Sequence, residues 1–289
     1  ANGHAIGYDD VGTGIPVLFL HGFPHNRSLW APQLGALATA ARTISMDLRG
    51  FGESVPGSAG SMDDYADDAA ALLDTVGIDR VVVVGLSMGG YATFALWRRH
   101  QARVRALVLC DTRAGADSET SRASRREMQA LAQDRGLAAV ANQLISGMVG
   151  PTTRLNNPEL VDEMHRMMSL APEDGVVGAL EAMLTRPDST PTLASITVPT
   201  LIVVGDEDVL TPVKEARAMH LAELALEFAA KHLKPAGSLL VKVFQGSGFQ
   251  EFLREMRGGF KHVVTRKPEA SRGRSNELYL LGKDRNSAA

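Results

Sequence analysis

Apolar, β-branched runs alternate along much of the chain with stretches whose apolar residues recur every three or four positions. The runs are PVLFLHG (Pro16–Gly22), TISMDLRG (Thr43–Gly50), VVVVGLS (Val81–Ser87), ALVLCDT (Ala106–Thr112) and TLIVVGDED (Thr200–Asp208). Each is short, nearly continuous in hydrophobicity and followed by a Gly- or Asp-rich loop. That pattern predicts strands of a parallel sheet covered on both faces. Between them, MDDYADDAAALLDTVG (Met62–Gly77) starts acidic and stops at glycine, which predicts a helix. Strand–helix alternation predicts an α/β fold with right-handed crossovers.

From about Arg113 to Val198 the rhythm changes. SRASRREMQALAQDRG (Ser121–Gly136) and NPELVDEMHRMMSLAP (Asn157–Pro172) carry helical periods, and no strand pattern intervenes. An all-helical insertion between two strands reads as a lid over the C-terminal ends of the sheet. Six of the 11 methionines lie in it: Met128, Met148, Met164, Met167, Met168 and Met183. Methionine adapts to irregular apolar shapes, so a few of these are candidates to face a substrate, although helical spacing mostly marks packing. Beyond the lid, the pattern predicts a helix from about Val213 to Leu233. A strand over Ser238–Phe244, a helix over Phe249–Met256, and strands over His262–Arg266 and Glu277–Leu281 follow. The expected organisation is a core of residues 1–112 and 199–220, a lid of residues 113–198, and a tail of residues 221–289 that completes the sheet.

Gly85-Leu86-Ser87-Met88-Gly89 fits G-x-S-x-G between a β-branched strand and the helical pattern YATFALWRRH (Tyr91–His100). A tight strand-to-helix turn exposes the serine hydroxyl, and glycines flank it where side chains would strike neighbouring backbone. The helix N-terminus behind the turn favours developing negative charge. His21-Gly22-Phe23-Pro24 follows another strand, so the N–H of Phe23 and the N–H of Met88 are candidate oxyanion donors. A Gly-rich loop of pattern D-x-R-G-x-G-x-S runs from Asp47 to Ser54.

With these segments, residues 1 to about 220 resemble the α/β-hydrolase superfamily, in its lidded esterase, lactonase and C–C hydrolase branch. The resemblance implies a mostly parallel sheet and Ser87 as nucleophile. It also implies Asp208, at the end of Gly205-Asp206-Glu207-Asp208, as the acid of a catalytic triad. Asp206 and Asp111 are the lesser alternatives, and a helix cap or loop turn is the bland role for each. His21, His25, His100 and His165 do not occupy the place where the family puts its base.

The net charge of −3 hides an asymmetry. Residues 221–289 carry 12 Lys+Arg against 7 Asp+Glu, and the remainder carries 18 against 26. In this tail LKPAGSLLVKVFQG, FQEFLREM and RKPEASRGRSNELYLL resemble the C-terminal part of the FtsJ-type ribosomal RNA 2′-O-methyltransferases. The resemblance implies that Lys242 and Glu277 match two members of that family's Lys-Asp-Lys-Glu set. The other two members and the glycine loop that binds the methyl donor have no counterpart in the sequence. In register, LVKVFQGSGF replaces the hydrolase strand whose tip bears the triad histidine, and that tip is Phe249. Of the histidines after Asp208, His232 ends a helix that runs away from the strand tips, His262 follows the next helix and His220 lies mid-helix; these three, and His165 on the lid, stay open as sources of the base, because triads are recognised by geometry rather than order.

The composition, 45% hydrophobic and 22% charged, is that of a soluble globular protein. No apolar run reaches the length of a membrane span, and a single cysteine, Cys110, excludes a disulfide framework. The expectation is a cytoplasmic hydrolase without cofactor or metal, acting on a small apolar ester or lactone with an impaired triad. The basic tail reads as a solvated face rather than a nucleic-acid surface. The rival readings are a methyltransferase-derived enzyme and an RNA-binding chimera without hydrolase activity.

Overall fold

The computed structural model describes residues 3–54, 57, 59–205, 207–208, 210, 238–244, 249–266 and 277–286. They form two compact units, Ala1–Pro199 and Thr200–Ala289. The strands of the first unit are β1 (Tyr8–Val11), β2 (Ile15–Leu20), β3 (Ala41–Met46), β4 (Val81–Leu86) and β5 (Val104–Cys110). Their order in the sheet is β1-β3-β2-β4-β5. β2 pairs in parallel with β3 and β4, and β4 with β5, while β1 is an antiparallel edge. Parallel neighbours need crossovers, and helices supply them. These are α1 (Ala31–Leu37), α2 (Met62–Thr75) and α3 (Met88–His100).

Alternation along the strands builds a core on each face. Phe19 and Val84 pack with Trp30 and Leu34, the last on α1. Leu18 and Leu20 of β2, Val83 of β4, and Leu107 and Leu109 of β5 are also buried. α3 lies against β4 and packs on α2, burying Tyr65, Leu72, Phe94 and Trp97. α2 starts at a capping box: the Ser61 hydroxyl accepts from the Asp64 N–H, and the Asp64 carboxylate accepts from the Ser61 N–H. Such a box satisfies two of the four N–H groups that a helix start leaves open.

The insertion is helical throughout: α4 (Glu119–Arg135), α5 (Leu137–Met148), α6 (Pro151–Asn156), α7 (Pro158–Ser169), α8 (Glu173–Thr185) and α9 (Thr190–Leu193). α4 packs on α8, and α5 on α7. Gly175 in the first turn of α8 approaches the carbonyl of Gly50 so closely that a Cβ would overlap it. The insertion therefore roofs the loop that follows β3. Met128, Met168 and Met183 are buried in its packing, as helical spacing suggests. Met167 lines a cavity instead.

The second unit holds β6 (Thr200–Val203), β7 (Leu239–Phe244), α10 (Phe249–Gly259), β8 (Phe260–Arg266) and β9 (Glu277–Arg285). The tail was expected to complete the parallel sheet, and its pairing differs. β7, β9 and β8 form a three-stranded sheet of their own, antiparallel throughout. The reason is visible in the packing. Leu239 and Val241 of β7, Phe252, Leu253 and Met256 of α10, Phe260 of β8 and Leu280 of β9 bury one another in a separate cluster. The sheet thereby covers one apolar face with its own amphipathic helix. The helix expected over 213–233 lies outside the described residues.

Candidate active site

The turn from β4 into α3 carries Ser87 with φ 50° and ψ −108°. Positive φ on a non-glycine residue costs of order 1–3 kcal/mol and persists only where neighbours impose it. Here the neighbours are identifiable. The Ser87 N–H donates to the Cys110 carbonyl at the end of β5, at 2.9 Å. Its carbonyl accepts from Gly90 N–H at 2.9 Å and from the Thr112 hydroxyl at 2.8 Å. A Cβ on Gly85 would overlap Thr93 Oγ1, one on Gly89 the Leu20 carbonyl, and one on Gly90 the Thr112 side chain. Each glycine of the turn is thus a point where another chain segment comes too close for any side chain.

The Gly89 contact also fixes where the next loop lies. Leu20 ends β2, and His21-Gly22-Phe23-Pro24 follows it directly. Gly22 in turn lies against Leu86, the last residue of β4. The loop of Phe23 and the turn of Ser87 and Met88 are therefore in contact. Among the described residues, neither the Phe23 nor the Met88 N–H donates to a protein group. Met88 opens α3, so no helical carbonyl is available to it. Phe23 and Met88 are both buried.

His21 is a structural residue. It is fully buried, its Nδ1 bonds the Gly22 carbonyl at 2.9 Å, and its Nε2 accepts from the Leu48 N–H at 3.0 Å. Burial pushes its pKa down to about 4, so the ring is neutral near pH 7. His25, in the same loop, lacks such partners: it is buried, and neither ring nitrogen has a partner among the described residues. Burial, then the neighbouring His21, hold its pKa down to about 4. Both rings lack the proton affinity of a general base working at neutral pH. His165 bonds Asn142 at 2.8 Å within the lid, and His100 bonds Asp67 at 2.7 Å. Each histidine of this unit named in the sequence reading thus has a local structural role or an unfavourable environment.

The D-x-R-G-x-G-x-S loop is a scaffold of buried charge. Asp47 is buried and ion-pairs with Arg27, while its carboxylate also accepts from the N–H groups of Arg27 at 2.7 Å and Glu53 at 2.8 Å. The Ser54 hydroxyl donates to the Asp47 carbonyl at 2.7 Å. Gly52, at φ +52°, sits where a Cβ would overlap the Asp47 carboxylate. Arg49 reaches Asp68 on α2 in a buried two-pronged pair at 2.6 and 2.8 Å. A cavity of about 240 Å³ opens between this loop, the segment after Phe23 and the lid, lined in part by His25, Phe51, Arg166 and Met167.

The candidate acids separate. Asp208 lies in the second unit and, as a loop residue, accepts from the Leu210 N–H at 2.7 Å. Asp111 follows β5 with φ 41°, one residue beyond the carbonyl that holds the Ser87 N–H. His262 is exposed on β8, opposite Lys283. Asp206, His220, His232 and the side chains of Lys242, Phe249 and Glu277 lie outside the described set. Sequence reasoning missed Thr112 and Tyr91, which hold the turn from behind. Neither carries a motif of its own, and only their position after β5 and one turn beyond Ser87 would have marked them.

A strained serine on a strand-to-helix turn, closed by glycines and backed by two open N–H groups, defines the protein class. The chain matches the alpha/beta hydrolase fold family over residues 15–233 and belongs to it. A thermophilic esterase from Thermogutta terrifontis is 40% identical, covering 76% of this chain and 80% of that one, with a TM-score of 0.72. The enol-lactonase from Burkholderia xenovorans LB400 is 26% identical over 77% of this chain and 85% of that one, with a TM-score of 0.71. Residues 200–285 match the FtsJ-like methyltransferase family. There the ribosomal RNA large subunit methyltransferase E of Nitrosospira multiformis is 66% identical over 70 residues, 24% of this chain. The chain spans about a third of the length of the curated relatives it matches. Among the described residues, no helix is long and apolar enough to cross a membrane.

Proposed function

We propose that the chain hydrolyses a small, apolar carboxylic ester or lactone through Ser87. The observation that carries this is the strained Ser87 backbone, held by four groups from β5, α3 and Thr112 at the N-terminus of a helix. The hydroxyl attacks the carbonyl carbon, and the N–H groups of Phe23 and Met88 receive the oxyanion. Collapse of the tetrahedral species breaks the ester C–O bond, the leaving alkoxide takes up a proton equivalent to the one that Ser87 loses to solvent, and water then hydrolyses the acyl-serine to release the acid. Asp208 is assigned to orient a histidine that the sequence does not supply at the expected position, which Phe249 occupies. A triad without its base leaves roughly 10³–10⁴-fold catalysis over water from the oxyanion donors and binding. The proposed enzyme is therefore slow.

The test is hydrolysis of short-chain p-nitrophenyl esters by the wild type and by Ser87→Ala. Loss of enzyme-dependent release in Ser87→Ala supports the assignment, and an unchanged rate removes Ser87 from the mechanism.

The tail supports a second reading, contact with RNA. Arg254, Arg257, Lys261, Arg266 and Lys283 are exposed on α10, β8 and β9. Binding of this kind weakens steeply with salt as counterions are released. Salt-independent behaviour, or no binding of ribosomal RNA fragments at low ionic strength, excludes it.

A further inference from the structure

The chain enters the lid through the segment after β5 and begins its return to the core after α8. One buried carboxylate joins the two. Asp117 lies before α4, and its side chain is fully buried. Arg186, one residue beyond α8, pairs with it at 2.6 Å and is itself buried. Arg125 on α4 pairs with the same carboxylate, and Arg113 stands 3.9 Å away. The Arg186 guanidinium also donates to the carbonyls of Met183 and Gly115, each at 2.9 Å, so it ties the end of α8 to the start of the lid by backbone as well.

This cluster rests on the helix of the nucleophile. The Arg186 guanidinium lies 4.0 Å from the centre of the Tyr91 ring, and Arg113 donates to the Tyr91 hydroxyl at 3.3 Å. Tyr91 is buried on α3, and its N–H bonds the Ser87 carbonyl at 3.3 Å. Further along α3, Trp97 donates to the Ser195 hydroxyl at 3.0 Å and Arg98 to the Ser189 hydroxyl at 2.7 Å. These two contacts anchor the exit of the lid only. Asp117 and Arg186 span the two crossing points, as does the Ser189 N–H, which donates to the Ala114 carbonyl at 2.9 Å, and Asp117 is the carboxylate that the three guanidiniums share. It sets one negative charge among three guanidiniums, and cation–π contact with Tyr91 holds the Arg186 plane. Without it the three cations repel one another, and the buried Arg186 loses its counter-charge.

We propose that Asp117 is a positioning residue that fixes the lid on the Ser87 helix and so shapes the acyl or leaving-group side of the site. The proposal rests on the hydrolase reading for its kinetic part. Its structural part stands apart from activity, because the lid contacts exist whatever Ser87 does.

The experiment compares wild type, Asp117→Asn and Arg125→Gln by hydrogen exchange and by ester hydrolysis. Arg125→Gln keeps the buried Asp117–Arg186 pair and guards against an unfolded Asp117→Asn. In both variants, exchange across residues 113–125 and 183–190 should rise, by about 10-fold or more in Asp117→Asn and less in Arg125→Gln, while β4 and β5 stay protected. KM for longer-chain esters should rise by roughly 5-fold or more, and kcat for p-nitrophenyl acetate should change by less than about 3-fold. Wild-type exchange in both variants overturns the proposal, as does faster exchange spread equally over β4 and β5. If the wild type shows no Ser87-dependent hydrolysis, the function reading fails while the exchange result still decides the clamp.

Discussion

Gly89→Ala tests the link between the nucleophile turn and the oxyanion loop. The added Cβ would stand 2.7 Å from the Leu20 carbonyl carbon and 2.8 Å from the His21 carbonyl oxygen, with the Leu20 oxygen nearer still. Ordinary carbon–oxygen contacts are about 3.3–3.6 Å, so either α3 or the end of β2 must move by roughly 0.5 Å or more. Both are backbone, and no rotamer change relieves the overlap. Overpacking of this kind costs about 2–3 kcal/mol, the upper part of the usual range. For a domain near 200 residues that lowers Tm by roughly 4–12 °C. The same shift separates Phe23 from Met88, and misplacements approaching 1 Å cost up to about 10²-fold in rate. Calorimetry and hydrolysis of p-nitrophenyl acetate measure the two effects on one sample. A Gly89→Ala protein that melts with the wild type and keeps its kcat/KM would refute the close approach on which the oxyanion assignment rests.

Other consequences follow from the buried charges. His21 and His25 fall from an ordinary value near 6.5 to about 4 on folding, so between those values the unfolded chain binds protons that the folded chain refuses. Stability should therefore fall as pH falls from 6.5 towards 4, by up to about 1.4 kcal/mol per pH unit for each ring. Urea midpoints at three pH values across that window check this, and a flat profile contradicts it. His25→Asn should remove roughly half of the slope. Asp67, Asp117 and Asp188 have lowered pKa values: the Arg99 hydrogen bond is the chief cause for Asp67, burial opposes but pairing with Arg125 and Arg186 outweighs it for Asp117, and the Thr190 N–H is the chief cause for Asp188. Their contribution is lost only below the ordinary carboxylate value of 3.8, so the two effects separate along the pH axis. Asp68→Ala leaves the mostly buried Arg49 without its two-pronged partner, which should cost about 3–5 kcal/mol. Thermal melting measures it, and a loss under about 1 kcal/mol would put the pair in the class of surface ion pairs.

The strands and the nucleophile turn were legible because their signals are local. Continuous apolar runs marked β2 to β6, and glycines flanking Ser87 marked a turn whose crowding the structure bears out. β1 escaped notice: YDDV is polar, half-exposed and an edge strand, so it lacks the alternation that burial imposes. The charge network was illegible for a different reason. Arg49 and Asp68 are 19 residues apart, Arg27 and Asp47 20, and Asp117 and Arg186 69, and no periodicity joins them. The resemblance to α/β hydrolases suggested an oxyanion loop, but not that His21 would hold it through Leu48. In the tail, the apolar pattern located β7, α10, β8 and β9. It did not reveal that α10 would cover their sheet, because an amphipathic face shows that it is buried without showing against what.

Covalent labelling asks whether Ser87 is a nucleophile. The folded protein is incubated with a fluorophosphonate ester, and intact mass and peptide mapping locate the adduct. A nucleophilic Ser87 without its base gives slow labelling with a single adduct on the peptide containing Gly85-Leu86-Ser87-Met88-Gly89, none in Ser87→Ala, and none after denaturation. An adduct on another residue, or equal labelling of wild type and Ser87→Ala, would contradict it.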